Sequence, residues 1–248
     1  MRSKICILSG NTLKIIAAVS MLIDHIGVMF FPDVEIFRIF GRIAFPIFAF
    51  MIAEGCRYTK NRLRYFLTVM AMGVAYIVAF YVYSKVIYMS IFITFSLSIL
   101  MIYALQAFKD ACFDNNHGTL KRVIFAVLFI FSVVFSYLLN KIFRIDYGFF
   151  GALTPVFASI VHRPRKNAPK IFDKIDRIEF SICGLAVGLI CLFAVYRGVR
   201  IFALLSIPLL LLYSGERGKL KMKYFFYIFY PAHLLVLEGI GMLIKIIK

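Results

Sequence analysis

The chain has 248 residues, 62% of them hydrophobic, and a mean hydropathy of +0.91. A soluble domain holds about 45–50% apolar residues, so the surplus excludes an ordinary water-soluble core and points to runs that cross a bilayer, each needing about 20 apolar residues. The formal net charge is +17, from 29 Lys and Arg against 12 Asp and Glu. With no RNA- or DNA-reading motif and only short loops, that excess reads as cytoplasmic loops lying on anionic headgroups, and nucleic acid is excluded as a partner.

In chain order, the apolar runs predict spans at about 13–32, 36–56, 63–84, 86–108, 121–140, 148–163, 179–197, 199–214 and 223–245. The sixth and eighth are short and fit tilted or re-entrant helices. The expected fold is all-α, a polytopic transmembrane helical bundle of about nine spans (range eight to ten). Residues 1–248 form one membrane domain with no separate soluble domain. With the N-terminus placed inside, 20 of the 29 Lys and Arg fall in cytoplasmic segments and 7 outside, while Arg38 and Arg42 lie within the second span. That asymmetry predicts an N-inside, C-outside topology. The most basic loop, HRPRKNAPKIFDKIDR at 162–177, faces the cytoplasm on this reading.

The N-terminal MRSKICILSGNTLK lacks a continuous signal-peptide core and a small-residue cleavage site, so no processing is expected. Nor is there an internal repeat of the kind common in secondary transporters. Cys6, Cys56, Cys112, Cys183 and Cys191 show neither CxxC nor ligand spacing with His, so neither a disulfide framework nor a metal is expected.

Ionisable groups inside a span cost about 2.5–3.5 kcal/mol each on insertion scales, so they face a cavity or a partner. The first span holds Asp24 and His25, the second Arg38, Arg42 and Glu54, and the ninth His233 and Glu238. Arg38 and Arg42 stand at spacing i, i+4 and share a helix face. Depth counted along each helix brings His25, both arginines and His233 toward the middle and outer bilayer. Arg144, Asp146 and Tyr147 of RIDYG border that region from outside. Neutral imidazole is the usual general base near neutral pH, and paired arginines suit phosphate or a developing oxyanion.

Asp24 and His25 are adjacent and point about 100° apart, so Asp24 is free to anchor the arginines instead of orienting the imidazole. A structural ion pair of Asp24 with Arg38 or Arg42 accounts for those three equally well. His233 reads either as a hydrogen-bonded packing residue or as a second base or acyl carrier. Glu54 lies near the cytoplasmic end beside Arg57. Pro46 is expected to kink the second helix, and such kinks open cavities.

At MLIDHIG, RIFGRIAFPIFAFMIAEG and YFFYIFYPAHLLVL the sequence resembles the TraX family of membrane proteins, and LSGNTLKIIA, TKNRLRYF and DYGFFG extend the likeness over nearly the whole chain. The family is named for a protein that acetylates the N-terminus of conjugative pilin. The resemblance implies a multi-pass protein of the bacterial cytoplasmic membrane and an acetyltransferase that uses acetyl-CoA, without carrying pilin over as the acceptor. The layout is also similar, more loosely, to membrane acyltransferases that modify envelope sugars, in which an early-span histidine and nearby arginines form the reaction centre.

Under this resemblance the acyl-CoA nucleotide docks on Lys14, Arg57, Lys60 and Arg62, and no metal takes part. His25 acts as base, Arg42 with Arg38 stabilises the oxyanion, and Asp24 and His233 complete the catalytic set. Glu54, Asp146, Tyr147 and Tyr230 lie on the substrate side. The expected partners are membrane lipids, acyl-CoA and an amine or hydroxyl acceptor (peptide N-terminus, sugar or small molecule), and a homodimer is compatible with the sequence. The alternative is a transporter or flippase for an anionic solute bound by Arg38 and Arg42. A third class is an assembly factor that holds a partner's membrane helix.

Overall fold

A computed structural model describes residues 6–114, 118–165, 167–219 and 222–247. Of the cations used to orient the chain, Arg2, Lys4, Lys166, Lys221 and Lys248 lie outside the described residues. The elements are α1 (Gly10–Phe30), α2 (Glu35–Gly41), α3 (Ala44–Tyr58), α4 (Arg62–Ser84), α5 (Ile91–Phe113), α6 (Thr119–Ile142), α7 (Gly148–Ser159), α8 (Ile171–Ile175) and α9 (Ile178–Tyr196). A 3-10 helix (Gly198–Leu205), α10 (Ser206–Leu211) and α11 (Lys223–Ile247) follow. Among the described residues there is no strand; two isolated bridges join Leu8 to Tyr213 and Met89 to Ile145.

Six segments among the described residues are long and apolar enough to cross a membrane: Gly10–Phe30, Glu35–Tyr58, Arg62–Val82, Ile91–Phe113, Thr119–Ile142 and Ile178–Tyr196. Three shorter apolar helices, Gly148–Ser159, Gly198–Leu211 and Ile228–Ile244, stand where the sixth, eighth and ninth spans were expected. Two departures from the expected boundaries have local causes. The second expected span stops at Gly41 and restarts at Ala44. Pro46 has no N–H for the carbonyl of Arg42, four residues earlier, and its ring crowds that carbonyl. The break therefore falls at Arg42 itself, ahead of the proline. The fourth expected span starts at Ile91, not 86, because Lys85 turns into the left-handed region (φ 57°) and closes α4.

The chain divides into two compact units, Met1–Met51 with Phe193–Lys248, and Ile52–Leu192. In the first unit, α1 is capped by Ser9, whose Oγ accepts from the Thr12 amide at 3.2 Å. The Gly10 and Asn11 amides donate to the carbonyls of Glu216 (2.8 Å) and Arg217 (3.0 Å), so donors that a helix start leaves over are met. Leu13, Ala17, Phe45, Ile47, Phe50 and Leu210 are buried here, and Phe50 meets Tyr213 edge-on with ring centres 5.8 Å apart. Helix α1 packs against α2 and α11.

Ser20, Asp24 and Gly27, at spacings i, i+4 and i+7, line the α1 face toward α2. Ser20 Oγ donates to the Phe40 carbonyl at 2.5 Å. Gly27 lies against Phe37, and Gly41 of α2 lies so close to Asp24 that a methyl group at 41 would overlap its carboxylate.

In the second unit α5 packs against α4, α6 and α7. Small residues set the approach, as expected where lipid offers no hydrophobic drive for helices to associate. Ser98 Oγ donates to the Ala152 carbonyl at 2.7 Å, and Ser181 Oγ to that of Ala158 at 2.6 Å. Gly184 and Gly188 of α9 rest directly on the α7 backbone at Phe157 and Thr154. Gly184→Ala places its new methyl on the Phe157 carbonyl and is expected to destabilise the protein by about 1–3 kcal/mol. Gly239→Ala, whose methyl meets nothing within 4 Å, serves as the matched control, and thermal unfolding of the two detergent-solubilised variants checks the difference.

Candidate active site

The first unit gathers Asp24, His25, Arg38, Arg42, Tyr230 and His233. The two neighbours on α1 serve different helices, as their angular separation requires. Asp24 faces α2. Arg42 Nη2 donates to both of its carboxylate oxygens, at 2.7 and 2.6 Å. Arg42 is the C-terminal cap of α2, and its Nε donates to the Arg38 carbonyl at 3.3 Å. The break before Pro46 thus gives the guanidinium two acceptors, one of them a carbonyl at a helix end. Arg38 Nε stands 3.5 Å from Asp24 Oδ1, and its side chain is 34% exposed against 8% for Arg42. Arg42 is the buried structural partner; Arg38 is the more accessible cation.

His25 faces α11. Its Nδ1 lies 2.8 Å from His233 Nε2, and His233 Nδ1 lies 2.8 Å from the Phe229 carbonyl oxygen one turn earlier. The ring centres are 5.0 Å apart with planes 25° from parallel. That separation nearly equals the nitrogen–nitrogen distance plus the two ring radii, so the rings meet edge to edge in one line. A carbonyl oxygen only accepts, so His233 Nδ1 carries the hydrogen. In the neutral pair, His233 Nε2 is then the acceptor and His25 Nδ1 the donor, which leaves the lone pair of His25 on Nε2. His233 is also clasped by its own helix, with Phe229 alongside (5.0 Å, 13°) and Tyr230 edge-on (5.7 Å, 77°). Asp24, Arg38, Arg42 and His233 all lie within electrostatic range of the His25 imidazole.

The remaining expected residues are placed as follows. Lys14 is on α1 in the first unit, 11 residues before His25, or about 16 Å along the axis. Glu54, Arg57, Lys60, Arg62, Asp146 and Tyr147 belong to the second unit. There Arg57 Nη2 holds Asp176 Oδ2 at 2.9 Å, with Nη1 3.8 Å from Glu54 Oε1. His162 Nε2 lies 3.9 Å from the same Glu54 oxygen and 3.4 Å from Ser181 Oγ. Lys109 Nζ donates to the carbonyls of Ser159 (3.2 Å), Ile160 (2.5 Å) and His162 (3.1 Å) at the end of α7.

This second polar centre draws on His162, Asp176, Lys109 and Ser181, none of which stands out in the sequence. The signal available was His162 and Asp176 at the two ends of the basic loop, opposite in character to its lysines. Lys60 is exposed, and the Arg62 guanidinium lies over the Tyr103 ring at 5.3 Å.

Asp146 and Tyr147 have a local role. The Asp146 amide donates to the Met89 carbonyl at 2.9 Å, and its own carbonyl accepts from Thr94 Oγ1 at 2.5 Å. Its Oδ1 accepts from the Tyr147 amide at 3.0 Å, and Tyr147 adopts φ 58° to start α7. Burial and the Asp146 carboxylate hold the Tyr88 hydroxyl above its ordinary range.

Asp24→Ala leaves the buried Arg42 charge without its carboxylate and is expected to cost about 3–5 kcal/mol. The double substitution Asp24→Leu with Arg42→Leu removes both charges and is expected to recover most of that loss. Denaturant unfolding of the three proteins measures it.

An uncharacterized protein of Rickettsia prowazekii (strain Madrid E) is 50% identical over 40 residues, which is 16% of this chain and 16% of that protein. The chain therefore spans only a small part of the relative it matches. No solved structure matches the chain significantly. The sequence profile described as TraX protein matches residues 9–241, from the cap of α1 through the last helix that carries His233. The chain belongs to the TraX family.

Proposed function

We propose that this membrane protein moves an acetyl or other short acyl group from acyl-CoA to an amine or hydroxyl acceptor, with His25 Nε2 as the general base. One observation carries the reading. The hydrogen-bond series Phe229 carbonyl, His233, His25 leaves a single imidazole lone pair at His25 Nε2, on a ring within electrostatic range of Arg38. Nucleophilic acyl transfer needs this pairing of a base with a positive charge that meets the developing oxyanion. TraX family membership supports the same chemistry, and His25 lies 15 residues beyond Gly10, the first residue of α1, which places the base well inside that helix.

The steps balance without an outside proton. The acceptor N–H or O–H attacks the thioester carbonyl while His25 Nε2 takes its proton. Arg38 faces the resulting oxyanion; Arg42 is committed to Asp24 and holds α2 in place. The tetrahedral species collapses, the C–S bond breaks, and the CoA thiolate leaves with the proton that His25 gives back. Lys14, on α1 with His25, is the cation of the first unit that this reading assigns to the CoA phosphates. Arg57 serves Asp176 and Glu54 instead, a narrower set than the sequence suggested. The protein acts in the bacterial cytoplasmic membrane, with the donor arriving from the cytoplasm.

Transport of an anionic solute needs a cation that can release its charge to a passing ligand. Arg42, held by both oxygens of Asp24, does not meet that description, which leaves Arg38 as the one arginine of the pair that a transported anion would use. The test is transfer of labelled acetyl from acetyl-CoA to candidate acceptors in proteoliposomes. His25→Ala is expected to lower the rate by about 10²–10⁴-fold, and Arg38→Ala by about 10²-fold. Both should retain the wild-type unfolding midpoint within a few degrees. Wild-type transfer that survives His25→Ala within a fewfold would overturn the mechanism. Uptake of an anion into vesicles without any acyl-CoA would favour the transporter.

A further inference from the structure

We infer that His233 is a positioning residue, whose task is to hold His25 in the Nδ1–H tautomer and so keep Nε2 unprotonated and available. The inference rests on the reading of His25 as base and adds the reason that base is competent. An imidazole in a pocket has two neutral forms, and only one of them presents a lone pair at a given nitrogen. Here the choice is made from outside the ring. The Phe229 carbonyl accepts only, so it fixes the hydrogen on His233 Nδ1; His233 Nε2 must then accept, which fixes the hydrogen on His25 Nδ1. The ordering passes through two rings that meet in line at 2.8 Å.

Among the described residues, the other titratable and charged groups facing the pair come from α1, α2 and α11, the last through Tyr230, edge-on to His233. Asp24 lies beside His25 on α1, and Arg38 and Arg42 stand on α2 and its cap. The partner recorded at His25 Nδ1 is His233 Nε2, at 2.8 Å. Asp24, the nearest carboxylate by sequence, is occupied by Arg42 and by the approach of Arg38.

The arrangement also decides what becomes of the proton. Once Nε2 is protonated, His25 still donates through Nδ1 to His233, and His233 still donates to a carbonyl oxygen that takes no proton. The series is closed at its far end. A proton accepted at Nε2 has no exit through His233 and returns by the way it came, to the leaving thiolate. That suits a group transfer in which one proton moves from acceptor to leaving group, and it does not suit a path that carries protons through the helix bundle.

Two substitutions separate positioning from packing. In His233→Gln, the amide oxygen takes the place of the ring Nε2 and accepts from His25. In His233→Asn, the shorter amide keeps a polar group near the Phe229 carbonyl but falls short of His25. The purified protein, labelled at its four histidines, is read by ring-nitrogen magnetic resonance, with His25→Gln identifying the resonance. The expected result is a protonated Nδ1 and an unprotonated Nε2 at His25 in the wild type and in His233→Gln, and loss of that fixed form in His233→Asn. In the transfer assay His233→Gln is expected to exceed His233→Asn by at least about tenfold, out of the 10²–10⁴-fold that a general base contributes.

A wild-type His25 protonated at Nε2 would overturn the inference, as would an unchanged His25 spectrum in His233→Asn. Equal transfer rates in the two variants would do the same. If wild-type protein transfers no acyl group at all, the acyltransferase reading fails, while the ring-nitrogen spectra still decide the role of His233.

Discussion

The arrangement of the first unit depends on one buried ion pair, Asp24 with Arg42, at the point where the second span breaks. Either charge alone would carry an insertion penalty of several kcal/mol in hydrocarbon. Together, with both carboxylate oxygens engaged and the Arg38 carbonyl taking the guanidinium Nε, most of that penalty is offset within the protein. The pair also constrains its surroundings. Gly41 must lack a side chain for α2 to reach Asp24, and Gly27 must lack one for Phe37 to lie against α1. Pro46 must sit where it does for the helix to end at Arg42. With α2 held in this way, the next residue of α1, His25, is turned by about 100° toward α11 and His233.

The pair also divides labour between two arginines that the sequence presents as equivalents. Spacing of i, i+4 says that they share a face; it does not say which one is committed. In the structure Arg42 is the capping residue and the buried partner, whereas Arg38 sits within α2 and keeps about a third of its side chain exposed. A positive charge that serves a transition state must be held near its place without being fully spent on a ground-state partner. Arg38 meets that condition better than Arg42, so the proposed oxyanion role is assigned to Arg38 and not to Arg42, which the sequence favoured.

Much of this was legible before any coordinates. Intramembrane charge is costly enough that Asp24, His25, Arg38, Arg42, Glu54 and His233 are visible as exceptions in an apolar chain, and adjacency on a helix separates Asp24 from His25 by direction. Pro46 announced a break, though its effect falls on the carbonyl four residues earlier, at Arg42. Edge-to-edge contact between His25 and His233 was not legible, because residues 208 apart meet only through tertiary packing. Around Glu54 the sequence offers Arg57 as a neighbour but not His162 or Asp176, which lie in a loop whose lysines dominate its composition. The start of α5 at Ile91 departs from the hydropathy pattern for a local reason. The run from Val86 is apolar, but the left-handed turn at Lys85 and the pairing of Met89 with Ile145 take it into a loop.

The central claim is that acyl-CoA is the donor and His25 belongs to the chemistry, not to donor binding. Calorimetry of acetyl-CoA with purified wild-type protein and with His25→Ala tests it most directly, because a ligand that binds the folded state must show saturable heat and raise stability by mass action. The account predicts saturable binding by both proteins with affinities within a fewfold of one another. Absence of binding by wild-type protein for acetyl-CoA and for longer acyl-CoAs alike would contradict it.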